Sequence, residues 1–431
     1  MSGLRRVTRV LAIGVLGVVL VSAAVALVVG RDEPRVLPVD PAAHFPPEHR
    51  ADAVRYTGLK LSYWAAGSIL RWGALAGIVA LGGGAGFAAA ARRLGRGRPF
   101  PTAFVAAALL LVFLSVATLP LAYQSGHRVE RAFGLTNQSA GGWLLDWARQ
   151  QGFWLALYSA LAAGFLMVIG RWPRRGWMLA AAGGAALGVA GTFLAPRLID
   201  PLFYDFTPLA DRALERDIET LAERAGIRVQ RVMVMDASGR TNRLNAYITG
   251  LGATRQVVLY DNLLERAPRD EVLLVVGHEI GHAAGHHVAR GLLWTLPAIA
   301  LGAWALAALA RRQARETGLA GPGDPAGLPL LWLAISLGLF VASPATVGIV
   351  RAMEADADWA SIDLTRDPGT YVALQKRLAV SNLAPIEPPR WMVVWFYTHP
   401  PILDRLGMAR YWAAEHGESD GDEEEGSTLP R

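Results

Sequence analysis

The sequence predicts a mostly α-helical, polytopic membrane protein with about seven transmembrane helices and a small α+β domain. Its 431 residues are 53% hydrophobic and only 18% charged, whereas soluble domains carry about 25% charged residues. The mean hydropathy is positive, at +0.29. Apolar runs close to the thickness of a bilayer recur along the chain, and one long polar stretch with β-rich segments interrupts them.

Seven apolar runs are long enough to cross a membrane. Five precede the polar stretch at about 196–290, and two follow it. The first is longer than a usual signal-peptide core, which favours a retained anchor over a cleaved signal peptide. The runs are residues 10–30, 72–91, 103–123, 153–170, 177–195, 291–310 and 328–350.

Composition also excludes several kinds of site. The chain has no cysteine, so disulfides, thiolate metal sites and cysteine nucleophiles are ruled out, and any metal must be held by His, Asp or Glu. The net charge of +6 comes mostly from arginines in short loops beside the apolar runs. This pattern is typical of membrane topology signals, and it predicts contact with a lipid bilayer and no nucleic-acid partner.

One short motif carries the strongest chemical signal, His278-Glu279-Ile280-Gly281-His282. Apolar residues at helical spacing surround it. Two histidines four positions apart on a helix share one face, so both imidazoles can bind one zinc ion. Glu279 would then lie beside the metal-bound water, take its proton and return it to the leaving amine.

A catalytic zinc site needs a third protein ligand. We expect Glu354, because it continues the helix of the last apolar run; Asp356 is a competing candidate. Asp358 lies four residues after Glu354 on the same helical face, where it can accept a hydrogen bond from a ligand histidine. For His286 and His287 we expect supporting or helix-surface roles.

These motifs and their order resemble the gluzincin metallopeptidases, and most closely the integral-membrane CAAX prenyl proteases of type 1. Three further stretches are similar to that family. They are Asp200-Pro201-Leu202-Phe203 with Phe206-Thr207-Pro208-Leu209, Asn245-Ala246-Tyr247-Ile248-Thr249-Gly250, and His399-Pro400-Pro401 with Arg405. The resemblance implies seven helices around a chamber, closed at one end by a zinc-protease domain.

The resemblance also implies roles for individual residues. It places Asn245 and Ala246 on the edge strand that binds substrate, and it assigns His399 and Arg405 to stabilisation of the oxyanion. From the residues alone, segments 231–235, 244–249 and 256–260 favour a small antiparallel sheet, whose edge can pair with an extended peptide.

The predicted domains follow from these motifs. Residues 1–195 form a membrane region, and 196–290 form the catalytic domain with its edge strand and zinc helix. Residues 291–350 hold two membrane helices, 351–412 the third ligand and the C-terminal catalytic segment, and 413–431 an acidic disordered tail.

The predicted function is that of a multi-pass cell-membrane zinc metalloendopeptidase, similar to the CAAX prenyl proteases of type 1. Its substrate would be a peptide or protein, with lipidated or membrane-associated ones included. One alternative is a heat-shock-type quality-control metalloprotease of the membrane, which has fewer spans before the motif. The other is a non-catalytic transporter or lipid-binding protein with a degenerate protease domain, against which the intact motif counts.

Overall fold

The computed structural model describes residues 35–198, 201, 204–250 and 255–418. The first predicted span, residues 10–30, lies outside these residues, as do residues 419–431 of the predicted tail. The first residues of that tail, 413–416, form the end of the last helix instead of a disordered segment. The described part is mostly helical, as predicted, with one small sheet.

Long helices dominate the part of the chain before the sheet. Several of them start at a proline, which is favourable in the first helical turn because its missing N–H would have no partner there. A π-helical segment, Gln124–Val129, extends one of them. The helices are α1 Pro41–His44, α2 Pro47–Ala80, α3 Gly84–Leu94, α4 Pro99–Tyr123, α5 Glu130–Ala132, α6 Ala140–Arg171 and α7 Gly176–Leu198.

A second set of helices surrounds and follows the sheet. The membrane helices among them are α11 and α12, and a 3₁₀ turn, Pro325–Gly327, joins the two. The helices are α8 Arg212–Arg224, α9 Asp261–Arg266, α10 Arg269–Ala284, α11 His287–Thr317, α12 Leu328–Thr365, α13 Pro368–Asn382, α14 Arg390–Phe396 and α15 Ile402–His416.

Five helical segments of the described chain are long and apolar enough to cross a membrane. They are Pro99–Ala132, Ala140–Arg171, Gly176–Leu194, His287–Thr317 and Pro325–Thr365. Each contains most or all of one predicted span. The pair α2 and α3 counts as a sixth candidate only if it forms one broken span.

The span predicted at 72–91 is not one continuous helix. The chain turns by 85° between α2 and α3. Gly82 adopts a φ of 72° at this turn, a conformation that costs glycine little and other residues more. The apolar helix instead extends in the N-terminal direction, to Pro47.

The sheet has four strands in the order β1-β2-β4-β3, namely β1 Phe206–Pro208, β2 Arg231–Met235, β3 Ala246–Thr249 and β4 Gln256–Tyr260. The predicted antiparallel sheet is wrong in one respect, because β2 and β4 pair in parallel, with Arg231 opposite Gln256. The connection between them contains β3, which folds back and pairs antiparallel with β4 at the outer edge.

Helices α10 and α12 approach each other closely, and this contact positions the site. Gly281 makes the approach possible, because a Cβ there would lie 2.9 Å from Ala360 Cβ and 3.0 Å from Ala357 Cα. One turn earlier, Gly277 faces Ser361, whose hydroxyl donates to Leu274 O at 2.7 Å. Small residues of this kind let two helix backbones come together. The predicted domain boundary at 350/351 falls inside α12, which runs without a break to Thr365.

Candidate active site

The two motif histidines converge at one point on α10. His278 Nε2 and His282 Nε2 are 3.1 Å apart. Both rings stay partly buried, with 12% and 24% of their side chains exposed. The four-residue spacing produces this convergence, since side chains one helical turn apart lie above one another.

Glu354 reaches the same point from α12. Its Oε2 lies 3.1 Å from His278 Nε2 and 3.4 Å from His282 Nε2. Tetrahedral ligands with bonds of about 2.0–2.1 Å are separated from one another by about 3.3 Å. The three donor atoms therefore have both the chemistry and the mutual spacing of a metal site.

His399 lies on the open side of this cluster. Its Nε2 is 2.9 Å from Glu354 Oε2, and its side chain is 52% exposed. His278, Glu354 and His399 also form a group whose donor atoms lie within 4.8 Å of one another. Two overlapping three-residue sets thus share His278 and Glu354, and they differ in whether His282 or His399 completes the set.

Asp358 lies behind His278 and is completely buried. Its Oδ1 is 2.9 Å from His278 Nδ1, the ring nitrogen that faces away from Glu354. A carboxylate in this position fixes the ring orientation of a metal-binding histidine and increases its basicity.

Arg405 lies further from the reacting centre than the resemblance implied. Its Nε and Nη2 both donate to Asp358, the Nε at 2.8 Å. Burial acts to lower the pKa of Arg405, but Asp358 and Tyr371 beside it outweigh burial, so the pKa is raised and the guanidinium stays charged. This geometry favours a positioning role, exerted on His278 through Asp358, over the expected contact with the oxyanion.

His282 is supported in a parallel way. His287 is buried, and its Nδ1 lies 2.8 Å from His282 Nδ1. The competing ligand candidate Asp356 instead lies beside this pair, with Oδ2 3.6 Å from His287 Nε2 and accepting from Arg290 Nη1 at 2.9 Å. The contact of Arg290 with Asp356 was not predicted from the sequence. The position of Arg290, one helical turn after His286, could have indicated that it lies near these residues.

Glu279 points toward the sheet. Its Oε2 accepts a hydrogen bond from the Ile248 backbone N–H at 3.3 Å. Burial raises the pKa of Glu279 above the ordinary value of a carboxyl group, while His278 and His282 oppose the shift. A carboxylate held in such a place is suited to accept a proton.

Strand β3 forms one edge of the sheet beside this carboxylate. The Asn245 carbonyl accepts from the N–H of Tyr260 on β4, at 3.1 Å. Because backbone groups of successive residues point to opposite sides of a strand, Ala246 and Ile248 direct theirs to the open edge. Apart from the Ile248 N–H, which donates to Glu279, this edge can therefore pair with an extended peptide.

Fold and site together define a class of protein, the metallopeptidases of the membrane. Two histidines, a carboxylate and a further, partly buried glutamate lie together where α10 packs against the membrane-length helix α12. Comparisons with known proteins agree. The model of peptidase family M48 matches residues 208–413, and that of the CAAX prenyl protease N-terminal region, with five membrane helices, matches residues 26–205.

Individual relatives point the same way. The chain is 32% identical to the uncharacterized metalloprotease YhfN of Bacillus subtilis over 320 residues, which cover 72% of this chain and 74% of that protein. It is 30% identical to CAAX prenyl protease 1 of Saccharomyces cerevisiae over 188 residues, which cover 43% of this chain and 42% of that one. The chain belongs to peptidase family M48.

A solved structure confirms the fold. The crystal structure of S. mikatae Ste24p superposes with a TM-score of 0.79 at 20% sequence identity, covering 95% of this chain and 99% of that chain. The protein is a multi-pass membrane metallopeptidase. None of these matches favours a quality-control protease of the heat-shock type or a non-catalytic transporter.

Proposed function

We propose that the protein is a zinc-dependent endopeptidase that cleaves peptides bound along the open edge of β3. His278, His282 and Glu354 would hold the zinc. The observation that carries the proposal is the spacing of their three donor atoms, 3.1, 3.1 and 3.4 Å, beside a partly buried glutamate that contacts the edge strand. When bound, zinc supplies Lewis-acid polarisation of the scissile carbonyl and lowers the pKa of a coordinated water.

Glu279 acts as the general base. Its Oε2 is occupied by the Ile248 N–H, which leaves Oε1 to accept the proton of the attacking water. The same oxygen then returns the proton to the leaving amine nitrogen. The low exposure of the site strengthens the hydrogen bonds that orient the carboxylate during both transfers.

His399 and the edge strand complete the arrangement. His399 lies on the exposed side of Glu354, where its Nε2–H can donate to the oxyanion that develops on the scissile carbonyl. Ala246 and the adjoining Asn245 lie where the substrate backbone pairs with β3. The family match supports a substrate that is membrane-associated or lipidated, because relatives are CAAX prenyl proteases by name.

Cleavage of a fluorogenic peptide by the purified protein tests the proposal. We expect a zinc chelator to abolish turnover and added zinc to restore it. Glu279→Gln should lower kcat by about 100- to 10,000-fold while zinc content stays unchanged. Glu265→Gln, at an exposed glutamate of α9, is the matched control and should behave like the wild type. Full activity of Glu279→Gln would contradict the proposed base.

A further inference from the structure

Arginines are concentrated at one end of the membrane helix bundle. They lie in three short segments, one at the junction of α3 and α4, one between α6 and α7, and one near the end of α11. The segments are 92–98, 171–175 and 311–315, which hold four, three and three arginines and no lysine, aspartate or glutamate. Nine of these ten arginines are exposed, and Arg311 is partly buried. None of them takes part in the chemistry of the candidate active site.

Contacts between the segments place them side by side. Arg311 Nη1 donates to Pro173 O at 2.8 Å, so the end of α11 lies against the turn between α6 and α7. Arg92 Nη1 lies 3.9 Å from Asp324 Oδ1, in the connection between α11 and α12. The three segments therefore form one basic surface. We call this surface the arginine end, and it consists of Arg92, Arg93, Arg96, Arg98, Arg171, Arg174, Arg175, Arg311, Arg312 and Arg315.

The arginine end and the candidate active site lie at opposite ends of the same helices. On α11, Arg311 follows His287, the partner of the ligand candidate His282, by 24 residues. On α12, Glu354 follows Leu328 by 26 residues. At about 1.5 Å per residue these separations are roughly 36 and 39 Å. The apolar core of a bilayer is about 30 Å thick, so the two ends lie on opposite sides of the membrane.

The short connection on the active-site side has a different charge pattern. Residues 124–139 join α4 to α6 and contain two arginines and one glutamate. Thr136 Oγ1 in this connection donates to Arg240 O of the catalytic domain at 2.8 Å, which places the connection on the active-site side. Its glutamate, Glu130, accepts from Lys60 Nζ at 2.7 Å, so positive charge is neutralised there within the protein. The dense positive charge is on the other side.

This difference in charge predicts which side faces the cytoplasm. Arginines and lysines in short loops next to membrane helices are in excess on the cytoplasmic side. Segments longer than about 60 residues, such as the stretch from β1 to α10, cross largely regardless of their charge. The cytoplasmic leaflet also carries anionic lipids, which attract clusters of basic residues. A guanidinium suits their phosphates because it can donate two parallel hydrogen bonds.

We propose that the arginine end is cytoplasmic, where its guanidinium groups bind the phosphates of anionic lipids, and that the candidate active site lies on the non-cytoplasmic side of the membrane. The orientation depends only on the helices and the arginines. Its consequence for substrates rests on the proposed peptidase function: the protein cleaves peptides or proteins that are exposed on the non-cytoplasmic side.

Labelling of single cysteines tests the orientation. The chain has no cysteine, so an introduced thiol is labelled without background. Ala320→Cys lies in the connection between α11 and α12 at the arginine end, and Glu265→Cys lies on α9 just before the zinc helix; both positions are exposed. In spheroplasts of a bacterial expression host, a membrane-impermeant maleimide should label Glu265→Cys at once, and Ala320→Cys only after permeabilisation. The reverse pattern, or labelling of both in sealed cells, would overturn the inference.

Lipid binding tests the partner of the arginine end. The purified protein in detergent should bind a fluorescent phosphatidylglycerol more tightly than the matching phosphatidylcholine. Replacing Arg171, Arg174 and Arg175 together with glutamine should weaken phosphatidylglycerol binding by about 10- to 100-fold. The matched control replaces three exposed arginines of α8, Arg212, Arg216 and Arg224, and should leave binding unchanged. Equal affinity for the two lipids, or equal losses in the two triple variants, would contradict the lipid contact.

Cleavage by sealed spheroplasts separates the inference from the proposed function. A fluorogenic peptide added outside should be cleaved by cells with the wild type, without permeabilisation, and not by cells with Glu279→Gln. Cleavage that appears only after permeabilisation would overturn the inferred orientation but not the peptidase function. If Glu265→Cys is labelled from outside while the wild type cleaves nothing under either condition, the orientation stands and the peptidase function is contradicted.

Discussion

Gly281 gives the sharpest test of how the two ligand-bearing helices are held. In Gly281→Ala, the new methyl carbon would lie 2.9 Å from Ala360 Cβ, 3.0 Å from Ala357 Cα and 3.1 Å from Ala357 O. Carbon atoms in contact normally stay about 3.5–4.0 Å apart, so α10 and α12 must separate by several tenths of an ångström.

The expected change in stability of Gly281→Ala is the sum of two opposed contributions. Replacing a helical glycine with alanine stabilises the helix by about 1 kcal/mol, while overpacking costs about 1–3 kcal/mol. The net loss of stability is therefore at most about 2 kcal/mol. The separation also moves Glu354 away from His278 and His282, which should weaken metal binding by about 10- to 100-fold, as other disturbances of ligand placement do.

The assay combines chelator competition for zinc with thermal unfolding in detergent. Gly291→Ala is the control, because a Cβ at that helical glycine meets nothing within 4 Å. Gly277→Ala should fall between the two, with Ser361 Oγ at 3.3 Å. If Gly281→Ala bound zinc as tightly as Gly291→Ala and had the same Tm, the argument that close helix packing sets the ligand geometry would be refuted.

Two further predictions concern the residues behind the ligands. Asp358→Ala leaves the mostly buried guanidinium of Arg405 without its carboxylate. We expect a loss of stability of about 3–5 kcal/mol, seen as a lower Tm by calorimetry. An unchanged Tm would show that the pair is dispensable. His287→Ala removes the contact to His282 and should weaken zinc affinity by about 10- to 100-fold, whereas His286→Asn, at an exposed position with φ 52°, should not. Equal affinities in a chelator titration would argue against a supporting role for His287.

Local patterns predicted much of the fold. Two of the predicted strands, 231–235 and 256–260, coincide with β2 and β4. They could be predicted because a run of β-branched residues between turn residues is a local signal for a strand. The helix of His278 and His282 and the continuation of the last membrane helix to Glu354 also depend on local periodicity. Membrane spans are likewise recognisable from apolar length alone.

What the sequence did not predict depends on contacts between distant residues. The parallel pairing of β2 with β4 is set by how β3 folds back, which strand composition does not encode. Arg405 and Asp358 are 47 residues apart, and Arg243 and Glu130 are 113 apart, so neither ion pair leaves a periodic signal. The turn between α2 and α3 was visible only as glycines within an apolar run.

The measurement that most directly tests the account is the zinc content of single-residue variants, determined by mass spectrometry on purified protein. With His278, His282 and Glu354 as ligands, the wild type should hold about one zinc ion per chain. His282→Ala and Glu354→Gln should lose it, while His399→Ala should retain zinc but turn over slowly. Retention of zinc by His282→Ala together with its loss in His399→Ala would contradict the assignment and make His399 the third ligand instead.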